Sequence, residues 1–221
     1  MMNLPKDKSE LKKEYFSWLN KNQESLRTVI SDAVDAIYNV YNKKYDAADV
    51  EKIKKGLALN HTFCWALGEY VFNFAKSDKI FANLIEELSN HASSKVRLNI
   101  ITNCLYNNPE DLVNQLLKNA LNDKSKKVRE KVADVMLRLN KENLTNHLLE
   151  RTAIETDSNL KNNLLWTYQL LTKKWVYEAE NNTVTVHLKD GGITKFFVED
   201  GINSNDTVQI EKKVAELRNQ H

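Results

Sequence analysis

A pattern of apolar residues recurs along the middle of the chain at a spacing of 32 residues. Segments that begin at Ser93, Ser125 and Asp157 each open with an apolar residue followed by a base, and further apolar positions follow in the same phase. The opening pairs are Val96-Arg97, Val128-Arg129 and Leu160-Lys161. A shorter amphipathic run precedes each segment at the same spacing. This pattern predicts stacked helical hairpins, since a unit of this size buries its apolar face only against its neighbours.

The repeat extends upstream by one further unit. One period before Ser93, His61 starts an earlier second helix, so four hairpins are predicted across residues 47–172. Residues 8–21 and 23–42 show two more amphipathic patterns that do not follow the period. We expect them to cover the open end of the repeats, which makes 1–46 an amino-terminal capping segment.

The pattern changes in the last part of the chain, 173–221. Residues 183–188 alternate apolar and polar side chains, and Asp190-Gly191-Gly192 supplies the turn of a tight hairpin. We expect 175–180 to add a first strand and 206–219 to form a terminal helix. Because an isolated hairpin is only marginally stable in water, this β element is predicted to pack on the last repeat.

The two-helix unit, with an apolar–Arg pair after a polar turn, resembles the HEAT and HEAT-like repeats. The residues that carry this resemblance are Val96-Arg97, Val128-Arg129 and the weaker copy Leu160-Lys161. An Asp often occupies the turn in that family, and Asp123 and Asp157 are the candidates here. The resemblance covers about 47–172 and implies a mainly α fold, a right-handed α-α superhelix. A small carboxy-terminal β-hairpin or sheet and a terminal helix would follow it.

Composition narrows the possible partners and location. The chain has 32 basic and 30 acidic residues and a net charge of +2, spread evenly, which is unlike a strongly basic nucleic-acid domain. The amino terminus lacks the apolar core of a signal peptide, and no run approaches the ~20 apolar residues that span a bilayer. Cys64 and Cys104 both lie on apolar helical phases. We therefore expect a cytoplasmic protein without disulfides or membrane contact.

Three residues depart from the pattern of their own repeat. Trp65 stands where the other units have a base, Glu69 lies one helical turn later where they are apolar, and Trp166 replaces a polar residue. One hypothesis is that Trp65 and Glu69 line a pocket together with Arg97. The alternative is structural: Trp65 packs under the amino-terminal cap, Glu69 reaches solvent, and the β element covers Trp166.

Basic residues at the starts of the second helices form a second candidate surface. Stacking would align them into a ridge, and a ridge of bases can follow a phosphate backbone. The bases concerned are Lys95, Arg97, Lys126, Lys127, Arg129, Lys131 and Lys161, of which Arg97, Lys127, Arg129 and Lys161 are the candidate binding residues. The resemblance gives the Arg a different role, which is to hydrogen-bond to the turn before it. Acidic residues interleave with these bases, which also favours that structural role.

No cofactor or metal site is predicted, because the five histidines show no ligand spacing and no phosphate-binding or nucleophile motif is present. The leading hypothesis is a non-catalytic scaffold that presents a concave solenoid surface to a protein or peptide partner. The alternative is a HEAT-like DNA-binding protein, or a DNA glycosylase of the alkylation-repair type. Such an enzyme would cradle a lesion with Trp65, Glu69, Arg97 and Trp166, and Glu69 would stabilise positive charge on the sugar. A purely structural subunit is the third possibility.

Overall fold

The computed structural model describes residues 7–106, 109–198 and 207–220, which form eleven α-helices and three strands. The helices are α1 (Lys8–Ser17), α2 (Leu26–Tyr41), α3 (Ala47–Leu57), α4 (Phe63–Phe74), α5 (Lys79–Ser89), α6 (Ser94–Asn103), α7 (Glu110–Ala120), α8 (Lys126–Arg138), α9 (Thr145–Ile154), α10 (Ser158–Lys173) and α11 (Thr207–Gln220). The strands are β1 (Trp175–Glu178), β2 (Thr183–His187) and β3 (Ile193–Phe197). The mainly α fold with a small sheet and a terminal helix is therefore confirmed.

Parts of the predicted segments lie outside the described residues. These parts are the first six residues of the capping segment, residues 107–108 in the repeats, residues 199–206 in the β element, and His221. The predicted boundary after residue 46 falls between α2 and α3, and the one after residue 172 falls at the end of α10. Both boundaries remain predictions.

The chain forms two compact units, residues 1–116 and 117–221, and the division falls within α7. In the first unit α2 packs on α1 and α3, and α4 packs on α3, α5 and α6. In the second unit α10 packs on α8 and α9 and also contacts β1 and β2. Each consecutive pair of helices from α1 to α6 is in contact, and so are α9 and α10.

The period of the apolar pattern matches the buried positions. Two triplets of equivalent residues on the second helices α6, α8 and α10 are buried throughout, which confirms the phase assigned to them. They are Val96, Val128 and Leu160, and Ile100, Val132 and Leu164. Leu165 differs from its equivalents Ile101 and Ala133, because it is 40% exposed while they are buried. In the described part of the chain a sheet, and not a further hairpin, follows α10, and this side chain stays uncovered.

The capping segment is shorter in helix than the pattern predicts. Helix α1 ends at Ser17, and a turn of 3₁₀-helix follows at Lys21–Gln23. The Asn20 side chain accepts a hydrogen bond from the Asn22 amide, and the Gln23 side chain accepts one from the Asn20 amide. This capping box satisfies backbone donors at the start of a new helical segment. The predicted helix 8–21 is therefore interrupted before Lys21.

The sheet is antiparallel with the order β1-β2-β3, and both faces of the central strand are buried. One face, with Val184 and Val186, packs against Ile210 and Val214 of α11. The polar side chains of the other face are buried as well. On that face the Thr185 hydroxyl donates to Glu178 Oε1 at 2.7 Å. The alternation in β2 therefore places apolar side chains in a hydrophobic core on one face and buried polar side chains on the other.

The second face of the sheet also reaches the end of α8, beside its contacts with α10. His187 Nε2 lies 2.9 Å from the carbonyl oxygen of Leu137, and Nε2 carries the proton because a carbonyl only accepts. Gly191, in the turn between β2 and β3, is so close to Arg138 that a Cβ there would lie 2.1 Å from its carbonyl oxygen. The β element is thus attached to the repeats by its contacts with α10 and by one hydrogen bond and one close backbone approach at the end of α8.

Replacing Gly191 with Ala should destabilise the protein by about 2–4 kcal/mol, which combines left-handed backbone strain with overpacking. Its φ is 84°, and the added Cβ would meet backbone atoms that cannot rotate away. Gly192→Ala is the matched control, since the closest contact of its Cβ is the Asp190 side chain at 2.9 Å. Urea unfolding of the two variants measures both costs, and equal losses would contradict the contact with α8.

Candidate functional site

Three residues one period apart accept a backbone hydrogen bond in the turn before a second helix. Each accepts from the N–H two residues further on, at 3.0, 2.7 and 3.2 Å in chain order, and so fixes the turn that opens α6, α8 or α10. The three acceptors are His91, Asp123 and Glu155. The candidate turn acid Asp157 is instead the N-cap of α10 and accepts from the Leu160 amide at 2.9 Å.

The two predicted arginines, Arg97 and Arg129, are buried and point back into these turns. Arg97 Nη1 donates to the carbonyl oxygens of His91 and Ala92 at 2.7 and 3.0 Å. Arg129 Nη1 donates to the carbonyl of Asp123 at 2.8 Å. The same hydrogen bond therefore recurs at the period of the repeat. The side chain of the third base, Lys161, is exposed and forms no hydrogen bond with the described residues.

Arg129 also forms a buried ion pair with Glu155. Its Nε and Nη2 donate to the two carboxylate oxygens at 2.8 and 3.1 Å, and Arg151 Nη2 adds a third bond at 2.8 Å. Burial alone raises the pKa of Glu155, but the hydrogen bonds from the two arginines outweigh it and hold that pKa at about 2. This carboxylate thus ties α8 to the turn before α10.

Most other bases on α8 are also paired with carboxylates. Lys126 contacts Asp157 at 2.8 Å, and Asp134 contacts both Lys131 and Arg138, at 3.0 and 2.9 Å. Lys127 is exposed and has no ion-pair partner in the described part of the chain. Two unmatched lysines, Lys127 and Lys161, thus remain from the predicted ridge of the second unit.

Trp65 stands at the arginine position of its repeat, and Asn99 takes over part of the missing role. The turn carbonyl concerned is that of Leu59, one period before His91. The amide of Asn99, on the neighbouring helix α6, approaches this carbonyl oxygen at 3.5 Å. The side-chain oxygen of Asn99 accepts from Trp65 Nε1 at 3.2 Å. With its polar edge satisfied in this way, the Trp65 side chain remains 43% exposed.

The remaining candidates divide between the two units. Glu69 is half-buried one turn after Trp65, and no hydrogen bond or ion pair to its carboxylate occurs within the described ranges. Trp166 is half-buried on α10. The first unit holds Trp65, Glu69 and Arg97, and the second holds Lys127, Arg129, Lys161 and Trp166. The four residues of the glycosylase hypothesis therefore belong to two separate units.

An aromatic cavity of about 530 Å³ in the first unit was not foreseen from the sequence. It lies between the end of α2, the second half of α4 and the start of α5, and five rings line it. The rings are Tyr41, Tyr45, Tyr70, Phe74 and Phe81. The ring centroid of Phe81 lies 5.6 Å from that of Tyr45 and 5.3 Å from that of Phe74. Tyr41 is 47% exposed at the rim, so the cavity opens to solvent.

A second depression of about 660 Å³ shares Tyr45 with the aromatic cavity. The hydroxyl of Tyr45 donates to Asp78, which also caps α5 by accepting from the Ile80 amide, so this ring is fixed between the two spaces. Ile80, which lines the second depression, is 48% exposed. The signal in the sequence that could have indicated the aromatic cavity is the pair Tyr41 and Tyr45, two aromatic residues that precede the 32-residue repeats.

Helix α4 connects Trp65 with the aromatic cavity. Trp65, Glu69 and Asn73 are four residues apart, so they share one face of the helix, and Asn73 lines the cavity. Eight residues of helix span about 12 Å. We call these three residues together with the aromatic cavity the α4 surface. Its mixture of exposed rings, one carboxylate and one amide suits the anchoring side chains of a partner.

Other candidate chemistry is absent from the described residues. Burial raises the pKa of the Cys64 thiol to about 12, which leaves it unreactive, and Cys104 is also a buried free thiol. Within the described ranges no three His, Cys, Asp or Glu side chains are grouped to hold a metal ion. No helix there is both long and apolar enough to cross a bilayer.

The Glu155 ion pair should make stability depend on acid pH. Its pKa in the folded protein is below the ordinary value of 4.5, so its contribution is complete above about pH 4.5 and is lost as pH falls toward 2. At pH 3 the loss should be about 2 kcal/mol. Urea unfolding at pH 7 and pH 3 should show this loss in the native chain and in the exposed control Glu150→Gln. Glu155→Gln should lack it, and an unchanged pH dependence in that variant would refute the assignment.

Comparison with known proteins identifies the repeats. A family model for HEAT repeats matches residues 81–168, which run from α5 into α10. Neither the curated proteins nor the solved structures contain a match to this chain. The matched segment includes both arginine turns, at Arg97 and Arg129, and the Glu155 turn. The helical hairpins of residues 81–168 are therefore similar to HEAT repeats.

Proposed function

We propose that this protein is a non-catalytic binding module that takes a protein or peptide partner on the α4 surface. HEAT repeats suggest an interaction scaffold, which is the general role of such repeats. Within the first unit we place the partner site on the α4 surface. It combines the predicted candidates Trp65 and Glu69 with the aromatic cavity.

One observation carries the proposal: the aromatic cavity is open, with Tyr41 exposed at its rim, and Trp65 is exposed on α4 about 12 Å along that helix from the cavity residue Asn73. Large rings that are partly exposed beside a concave apolar space are the usual anchors of protein interfaces. A space of about 530 Å³ accommodates one or two apolar side chains of a partner. A short peptide segment could therefore fill the cavity and also contact Trp65.

The charges favour a protein partner over a nucleic acid. Phosphate tracking needs bases that are free to approach the backbone, whereas Arg97 and Arg129 donate into their own turns. Lys126 and Lys131 are paired with carboxylates. In the glycosylase hypothesis Glu69 acts with Arg97, which belongs to the same unit. Arg97 is buried.

Site-specific photocrosslinking in the native cells tests the proposal. A benzophenone amino acid placed at Tyr41 or at Trp65 should form adducts with the same protein partner, and these adducts should survive nuclease treatment. The matched control is the same amino acid at Lys55, which is exposed on α3 and lies outside both cavities. Adducts that disappear with nuclease, or that form equally from position 55, would contradict the proposal.

Alanine variants give the energetic test once the partner is identified. Tyr41→Ala and Trp65→Ala should each weaken binding by about tenfold or more, as the loss of an aromatic anchor usually does. Both side chains are substantially exposed, so folding stability should change by about 1 kcal/mol or less. Lys55→Ala should leave affinity unchanged. A DNA duplex that binds with a steep salt dependence, and without loss in these variants, would support the nucleic-acid alternative instead.

A further inference from the structure

A third cavity, of about 300 Å³, lies in the second unit where α10 ends and α11 packs against the sheet. Four cationic side chains line it from three separate elements: Lys173 and Lys174 at the end of α10, Lys189 in the turn after β2, and Arg218 on α11. Glu211 is the one carboxylate in the lining among the described residues. Such convergence of like charges is unfavourable unless an anion offsets it.

The hydrogen bonds of these cations leave donors unused. Lys174 is paired with Glu142, and Lys189 Nζ donates to Asn219 Oδ1 at 3.0 Å, a neutral partner. Lys173 is exposed and has no ion-pair partner within the described residues. The Nε of Arg218 is buried and finds no hydrogen-bond acceptor in that part of the chain either. A buried guanidinium donor without an acceptor costs free energy, and the same side chain lines the cavity.

Helix capping accounts for only part of this cluster. Cations in the last turn of a helix are favourable beside its free carbonyl groups, which explains Lys173, Lys174 and Arg218. It explains neither Lys189, which lies in a turn between strands, nor the unpartnered Nε of Arg218. The cationic cluster also affects a neighbouring imidazole. Burial lowers the pKa of His187, and the charges of Lys174 and Arg218 lower that pKa further.

We propose that this cavity binds a phosphate-sized oxyanion, either free phosphate or the phosphoryl group of a larger ligand, through Lys173, Lys189 and Arg218. Three converging cations match the three exposed oxygens of a phosphate monoester. Trp175 provides an apolar wall beside them, with room for atoms attached to the phosphate. This inference does not depend on the proposed partner surface.

Titration of the isotopically labelled protein with inorganic phosphate, at constant ionic strength, tests the proposal by NMR. Amide shifts should saturate at residues 173–175, at Lys189 and along 214–219. Lys189→Gln and Arg218→Gln should each weaken binding by about tenfold, the effect of losing one charge-assisted hydrogen bond. Lys212→Gln removes an equal charge from an exposed position on α11 outside the cavity, and it should change the affinity less than about twofold.

Two results would overturn the proposal. Shifts that never saturate would assign the cations to the helix ends alone, and an equal loss in Lys212→Gln would show nonspecific attraction. Because Arg218→Gln could affect folding, the exposed Lys189→Gln variant keeps the test decisive. Vesicles of phosphatidylcholine with and without phosphatidate then separate the two sources. Sedimentation only with phosphatidate, lost in Lys189→Gln, identifies a lipid headgroup, while phosphate binding without sedimentation identifies a soluble ligand.

Discussion

A helical hairpin has an apolar stripe that it cannot cover by itself, and this constraint governs the arrangement of both units. In the first unit α4 is buried against α3, α5 and α6, and no single pair of these helices would hide Phe63, Leu67 and Val71. In the second unit α10 depends on α8 and α9, and its end depends on the sheet. Stability is therefore shared between neighbouring elements, so loss of one hairpin exposes the core of the next.

Polar chemistry in this chain mainly satisfies the backbone that stacking leaves buried. The turn before each second helix has an N–H and a carbonyl that need partners. His91, Asp123 and Glu155 differ chemically, yet each accepts from an equivalent N–H, and Arg97, Arg129 and Asn99 donate to equivalent carbonyl oxygens. A charged residue at a repeat position therefore reflects the needs of the turn first. A repeat position whose residue does not bind the turn, such as Trp65, is a better candidate for a functional role.

The helices, their period and the main core positions could be predicted from the sequence because they depend on neighbours a few residues apart. Val132 and Leu164 are buried as their phase requires, and even Glu155 could have been found, since it lies one period after Asp123. The aromatic cavity could not, because Tyr41, Tyr70 and Phe81 meet only through the packing of three helices. The burial of His187 depends likewise on a carbonyl of α8, fifty residues away.

The contact between His187 and the Leu137 carbonyl also limits how such a chain can evolve. Repeat proteins commonly lengthen by duplicating an internal hairpin. Here one hairpin, α9 and α10, separates the carbonyl from the histidine that binds it. A duplicated hairpin after α10 would move the sheet away from α8. The His187 imidazole and the Leu137 carbonyl would then lose their hydrogen bond. An additional hairpin after α10 would therefore cost this hydrogen bond, whereas one inserted upstream of α8 would leave it intact.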